Sequence, residues 1–308
     1  VTRITPSAVV AIGADLLFCP FFLTFFYDPR VPMVCNIRDL NHLYNPQFFT
    51  PSDRAWRDRA FRESCRLADR LICISEFTRQ TVLANSDLAP NRVITVHHRL
   101  SNRLRRQDRL KMANVLDRLG LFGNDFLLYP TVTFWPHKNH RVLFTAFEIF
   151  HARHPELALK LICTGKPDTH MEDLQKEISR LGLEGRIVLP GLLSDDELAA
   201  LFQSCRAMIF PSLFEGFGMP VLEAMAFGKP VLCSNVTSLP EVAGDAALYF
   251  DPREPQEIVN SIERVMSESS VATDLVERGR RHLATLGGPE QMALEYLQVF
   301  REAVASSR

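Results

Sequence analysis

The chain carries almost no net charge: its 308 residues hold 35 Lys and Arg against 36 Asp and Glu, a formal −1. Such a balance gives no bulk electrostatic reason to bind nucleic acid, so no nucleic-acid partner is expected and any basic function has to be local. None of the seven cysteines (Cys19, Cys35, Cys65, Cys73, Cys163, Cys205 and Cys233) stands in a C-x-x-C pair. Most fall in apolar runs such as LICIS and LICTG, which reads as buried thiols in a reducing compartment. The nearest approach to a metal pair is His137 and His140 in HKNH, a weak signal by itself, so no metal site is expected. No G-x-G-x-x-G follows an apolar strand, which argues against a nicotinamide-dependent oxidoreductase. Solenoid repeats and low-complexity tracts are missing as well.

Nor is there an unbroken membrane span. The stretch AVVAIGADLLFCPFFLTFFY, Ala8 to Tyr27, has the length of one, but Asp15 lies inside it and Gly13 and Pro20 break it. It reads as a buried strand followed by a loop. Its aromatic run, Phe21, Phe22, Phe25, Phe26 and Tyr27, reads as core, with an exposed surface toward lipid or an apolar acceptor as the alternative.

What the chain does have is apolar content, 46% of its residues, enough for two domains. From Phe126 onward short apolar strands alternate with helix-length amphipathic segments. Strands are expected at 126–132, 157–164, 186–189, 207–210, 231–234 and 248–250, and helices at 140–154, 171–181 and 195–203. This alternation implies a parallel sheet covered on both faces. The tail from Glu254 to about Ala305 reads as helices. The first part is less regular, with strands expected at 9–18, 33–37, 70–74 and 93–96 and helices at 52–68 and 76–84. The basic, weakly patterned run Arg99–Gly120 reads as the domain junction, its charges on a solvated face or linker. The expected division is 1–110, 111–290 and a final helix, 291–308, crossing back to the first domain. That first domain opens with a Phe-rich loop where a doubly wound domain has a glycine-rich turn, and looks short, as if its opening units were missing.

The chemistry concentrates in FPSLFEGFGMPVLEAMAFGKPV, Phe210 to Val231. A strand ending at Phe210 puts the following loop at the carboxyl edge of a parallel sheet, where ligands bind in open α/β folds. Gly216 and Gly218 allow close backbone approach, and Pro220 suits the first turn of a helix beginning near Met219, whose free N–H groups attract phosphate oxygens. Glu215 and Glu223 stand eight residues apart. Even along a helix that is roughly 12 Å, against about 5 Å for the carboxylates of a retaining glycosidase. They read instead as acceptors for hydroxyls at two ends of one ligand, as in two sugars joined by a diphosphate. Lys138, in TVTFWPHKNH after another strand end, can supply the cation for that diphosphate.

EGFGMPVLE resembles the E-x7-E motif of retaining GT-B glycosyltransferases, family 4 (group 1 glycosyltransferases). WPHKNH, ISEFTRQTVL, GLLSDDELAALFQSC and SLPEVAGDAALYFDP resemble the same family, and RDLNHLYNPQFF resembles its acceptor-side segment. The resemblance implies an α/β fold of two Rossmann-like doubly wound domains facing a cleft. It implies transfer of a sugar, with retention, from a GDP- or UDP-sugar to a saccharide or lipid-linked acceptor, in bacterial surface polysaccharide or glycolipid synthesis and without an obligatory metal or cofactor. A cytoplasmic location, with peripheral contact at the inner face of the membrane, goes with that setting. By the same resemblance Glu215 holds the donor sugar, Glu223 the ribose, and Lys138 neutralises the diphosphate. Gly216, Phe217, Gly218 and Met219 lie against sugar and phosphate, Gly191 and Leu192 near the base, and Thr133 joins the donor-binding set. Many members have an arginine six residues before the lysine; here it is Val132, leaving Arg141 or Lys166 to meet phosphate. Many have His-Asp where this chain has Arg38-Asp39, which makes Arg38 the candidate for a sugar or phosphate contact. A non-catalytic sugar-nucleotide-binding protein is the alternative.

Overall fold

The computed structural model describes residues 7–306. Its strands are β1 (Leu17–Cys19), β2 (Met33–Ile37), β3 (Arg70–Cys73), β4 (Val93–Thr95), β5 (Phe126–Tyr129), β6 (Lys160–Thr164), β7 (Ile187–Gly191), β8 (Ala207–Phe210), β9 (Val231–Ser234) and β10 (Ala247–Phe250). They build two sheets, β1-β2-β3-β4 and β10-β9-β8-β5-β6-β7, and every pairing is parallel. The chain divides into two compact units. The first is the chain up to Arg99 with Glu215–Phe217 and the residues from Gly287 on; the second is Leu100–Phe214 with Gly218–Leu286.

In the first unit, alternation along β2 sorts side chains between two cores. Met33, Cys35 and Ile37 pack with Phe61, Leu71 and Val82. Val34 points the other way, to Ile72, Val96, Val299 and Ala303, so the helix Pro289–Ser306 covers that face. Asn36, on the same face, donates to the Tyr296 hydroxyl at 3.0 Å. Local capping sets the helices. Thr50 accepts from the Asp53 N–H ahead of Pro51–Leu67, and Ser75 from the Thr78 N–H ahead of Glu76–Ala84.

The strand expected at 9–18 is not formed. Ser7–Ala11 is a short helix, and the chain turns at Gly13 in the left-handed region, φ 67°, leaving only Leu17–Cys19 to pair. The aromatic run after it is divided. Phe22 and Tyr27 pack on the core, whereas Phe21, Phe25 and Phe26 are 51%, 46% and 40% exposed. Those three are not core: β1 ends at Cys19 and they lie in the loop beyond it. Among the described residues, no helix is long and apolar enough to cross a membrane.

The second unit has the strand order of a Rossmann sheet: β5 is its first strand, β6 and β7 add on one side, and β8, β9 and β10 on the other. β5, β8 and β9 are buried at every position, as a sheet covered on both faces requires. The basic run expected as a solvated junction belongs to this unit, which begins at Leu100 rather than after residue 110. Asp108 caps a helix, Arg109–Arg118. Gln107 exchanges bonds with Gln203, and Arg106 lies over the Phe227 ring. Its charged side chains from Arg103 to Arg118 are exposed, as expected, while partners distant in sequence fix the path of the segment.

All seven cysteines are free, and all but Cys65 are buried. Burial pushes the Cys65 thiol up to about 11 and Cys205 up to about 12, so neither is a reactive thiolate at neutral pH.

Candidate functional site

In the second unit the order of the sheet reverses between β5 and β8, and the crevice beyond the carboxyl ends of such a pair is where an open α/β sheet binds ligands. The loops leaving these two strands are laced together. The Leu213 N–H donates to the His137 carbonyl at 2.8 Å. Asn139, in the left-handed region at φ 61°, donates its side-chain amide to the carbonyls of Pro211 and Pro252. Tyr129, at the end of β5, donates to the Lys138 carbonyl at 2.6 Å. Lys138 is therefore fixed by its backbone at the reversal, with Nζ 5.7 Å from the centre of the Phe210 ring.

The neighbouring strand ends continue this rim. The Lys166 N–H donates to the Val132 carbonyl at 2.8 Å, and the Gly165 N–H to the Gly191 carbonyl at 3.0 Å. Thr133 is half-buried on the β5 loop, Gly191 turns at φ 84°, and Leu192 beyond it is exposed. Of the two cations left open by Val132, Lys166 is on this rim, while Arg141 is engaged with Glu177 at 3.8 Å. The helix Met219–Ala226 starts from Gly218, which no side chain caps. Gly218 has φ 104°, and a Cβ there would meet Leu239 at 2.6 Å, so the backbone turn is reserved for glycine. Glu223 sits in that helix, 7% exposed, and accepts from Arg103 at 2.7 Å. Arg103 also bonds Asp195. Burial opposes its charge, but the bond to Glu223 and the two acids together hold the guanidinium above its ordinary range. Arg103 was missed by sequence reasoning, since nothing local marks which arginine in a basic run meets a buried acid.

Arg38, Glu215, Gly216 and Phe217 fall in the first unit. Gly216 lies so close to the Arg38 carbonyl that a Cβ would come within 2.0 Å of its oxygen. The Gly216 carbonyl accepts from the Ser75 hydroxyl at 2.7 Å, with the Thr78 hydroxyl at 3.3 Å. The ISEFTRQTVL motif thus contributes a holding pair that the expected site did not include. Phe217 is buried against the His98 ring, edge to face at 5.6 Å. Burial, then the charge of Arg38, lowers the His98 pKa. The Arg38 side chain is exposed and lies 5.4 Å over the Phe21 ring. Glu215 is half-buried. Among the described residues, no group of three or more His, Cys, Asp or Glu is arranged to hold a metal ion.

His140 packs among Tyr129, Phe134 and Phe144, at 4.8, 5.1 and 6.1 Å between ring centres. Burial, with the charges of Lys138 and His137, pushes its pKa down to about 3. The folded ring stays neutral where the unfolded ring binds a proton. Stability therefore falls as pH drops below about 6.5 and goes on falling toward the folded value, at up to ~1.4 kcal/mol per pH unit. His140→Phe is expected to reduce the slope of urea-unfolding stability between about pH 6 and pH 4, by up to ~1.4 kcal/mol per pH unit. His151, pushed down to about 4 chiefly by burial, and His42 and His98, lowered chiefly by burial, keep a slope of the same sign. An unchanged slope would mean that His140 takes up its proton without unfolding.

Residues 118–282 match the family of glycosyl transferases group 1. The chain is 30% identical over 247 residues to the O-antigen chain mannosyltransferase B of Escherichia coli, covering 80% of this chain and 64% of that protein. To the serotype-specific mannosyltransferase WbdA of Escherichia coli it is 29% identical over 247 residues, 79% of this chain and 30% of that protein. The chain therefore spans less than two thirds of the length of these relatives. It superposes on Anabaena HepE in complex with UDP and glucose with a TM-score of 0.80 at 19% identity, over 96% of this chain and 80% of that one, which is a likeness of fold.

Proposed function

The chain belongs to the group 1 glycosyl transferases, and from that premise we propose that it moves a sugar, with retention of configuration, from a nucleotide-sugar donor to an acceptor hydroxyl. The observation that carries the reading is the sheet reversal between β5 and β8, with Lys138 and the buried Glu223 on elements that follow its two strands. Lys138 and the N–H groups at Gly218 and Met219 take the diphosphate, whose charge grows as the bond to the anomeric carbon breaks and the electron pair leaves with it. Glu223 accepts ribose hydroxyls, Gly191 and Leu192 border the base, and Thr133 contacts the donor from the β5 loop. Glu215, Gly216 and Phe217 are assigned to the donor sugar, and Arg38 to a sugar or phosphate contact. No resident metal is assigned a role.

The mannosyltransferases among the relatives, one of them an O-antigen chain mannosyltransferase, support a mannosyl unit and the synthesis of a bacterial surface polysaccharide or glycolipid. The exposed Phe21, Phe25 and Phe26 support an acceptor with an apolar part, such as a lipid-linked saccharide, met at the inner face of the membrane.

The test is calorimetric titration with GDP, UDP and their sugars in metal-free buffer. One nucleotide should bind saturably, and Glu223→Ala should weaken it at least about tenfold, since hydrogen bonds to a charged acceptor are lost. Absence of binding, or binding only after a divalent cation is added, would overturn the site as drawn. Binding without turnover on any acceptor would leave the non-catalytic alternative.

A further inference from the structure

The carboxylate assigned to the ribose is held by a side chain from a stretch that looked like linker. Arg103 donates through Nη2 to Oε1 of Glu223 at 2.7 Å and through Nη1 to Asp195. Asp195 opens the helix Asp195–Ser204, and Glu223 lies within Met219–Ala226. One planar fork thus spans two helices of the same unit. Both acids are needed to set it: a guanidinium held at one end swings about that bond, and one held at both does not.

What this does for Glu223 follows from its surroundings. An ionised carboxylate at 7% exposure is costly without a partner, and a glutamate side chain with nothing bonded to it samples several rotamers. Arg103 answers both needs while occupying a single oxygen. Oε2 takes no hydrogen bond among the described residues and remains an acceptor of fixed direction. Because the guanidinium is itself 42% exposed, the pair adds little net stability. Its consequence is aim.

We propose that Arg103 is a positioning residue for nucleoside recognition: it holds Glu223 so that Oε2 accepts a ribose hydroxyl, and so sets a preference for ribonucleotides over deoxyribonucleotides. The proposal rests on the donor-site reading above. It differs from a blocking role, in which Arg103 would have to leave before the ribose could enter.

The experiment measures Kd for GDP and UDP and for their 2′-deoxy and 3′-deoxy forms, on the wild-type chain and on Arg103→Ala, Arg103→Lys, Asp195→Asn and Glu223→Gln. The wild type should prefer a ribonucleotide over one of its deoxy forms by about tenfold. Arg103→Ala should bring that ratio to within about twofold, and Arg103→Lys should restore part of it, because an ammonium can still meet Glu223 but not both acids in one plane. Asp195→Asn alters an exposed residue and should lower the ratio without touching Glu223. If Arg103→Ala does not fold, the lysine and Asp195 variants carry the same comparison. A ratio unchanged in these variants but abolished in Glu223→Gln would overturn the positioning role and leave the donor site standing. Tighter ribonucleotide binding in Arg103→Ala would overturn it in favour of the blocking role. No nucleotide preference in the wild type would overturn the donor site and the proposal together.

Discussion

Lys138→Ala is expected to lower kcat for sugar transfer by about 10²- to 10³-fold, the range found when one preorganised electrostatic donor is removed from a developing anion. The structure gives a reason for an effect at the upper end of that range. Val132 stands where many family members have a second cation, and Arg141 is engaged with Glu177. Lys166 is on the rim but exposed, where solvent weakens its field. On the proposed function, most of the leaving group's charge falls to Lys138 and backbone N–H groups. The fold should survive, because the loop is held through the Lys138 carbonyl by Tyr129 and through Asn139, none of which the substitution alters. The check is steady-state kinetics with the donor identified by titration, beside a urea-unfolding curve. A kcat within about threefold of wild type would remove Lys138 from the reacting centre.

Gly216→Ala is expected to cost about 3 kcal/mol of stability, at the high end of overpacking, and to reduce turnover at least about 100-fold. The added methyl would meet the Arg38 carbonyl oxygen at 2.0 Å and the Asp39 Cβ at 3.1 Å. A side-chain tip could rotate away; a backbone carbonyl cannot. The segment cannot easily retreat either, since its own carbonyl is held by the Ser75 hydroxyl at 2.7 Å. The displacement passes to the flanking residues, Glu215 and Phe217, and a shift of about 1 Å in a positioning group is enough for a loss of that size. Urea unfolding together with kcat measures both parts. Wild-type stability and turnover in this variant would mean that the segment relaxes freely and that its tight seat has no catalytic consequence.

Local pattern located several elements to the residue. β8 and β9 and the helix Glu76–Ala84 run where the apolar runs and the Ser75 cap place them. Each is bounded by signals that act at short range: Pro211 after β8, Lys229 and Pro230 before β9, and a serine whose oxygen meets an N–H three residues on. At 9–18 the same reasoning weighed the apolar residues above Gly13 and Asp15, and the turn at Gly13 prevailed. In the basic run the charges were visible but their partners were not. Arg103 meets acids 92 and 120 positions away, a separation no window of sequence can bridge.

By itself, then, the sequence determined the family, through several motifs in order, and the fold class, through alternation of strands and helices. It also placed Lys138 and Glu223 after strand ends and reserved Gly218 for a turn, because those properties depend on spacing and on backbone geometry. Tertiary structure alone decided that β5 and β8 are neighbours, which makes their loops one rim. It also decided that Ser75 and Thr78 hold Gly216, and that an arginine from a stretch read as linker meets a buried glutamate. Each of these is a pairing between distant segments, fixed only when the sheet order is fixed.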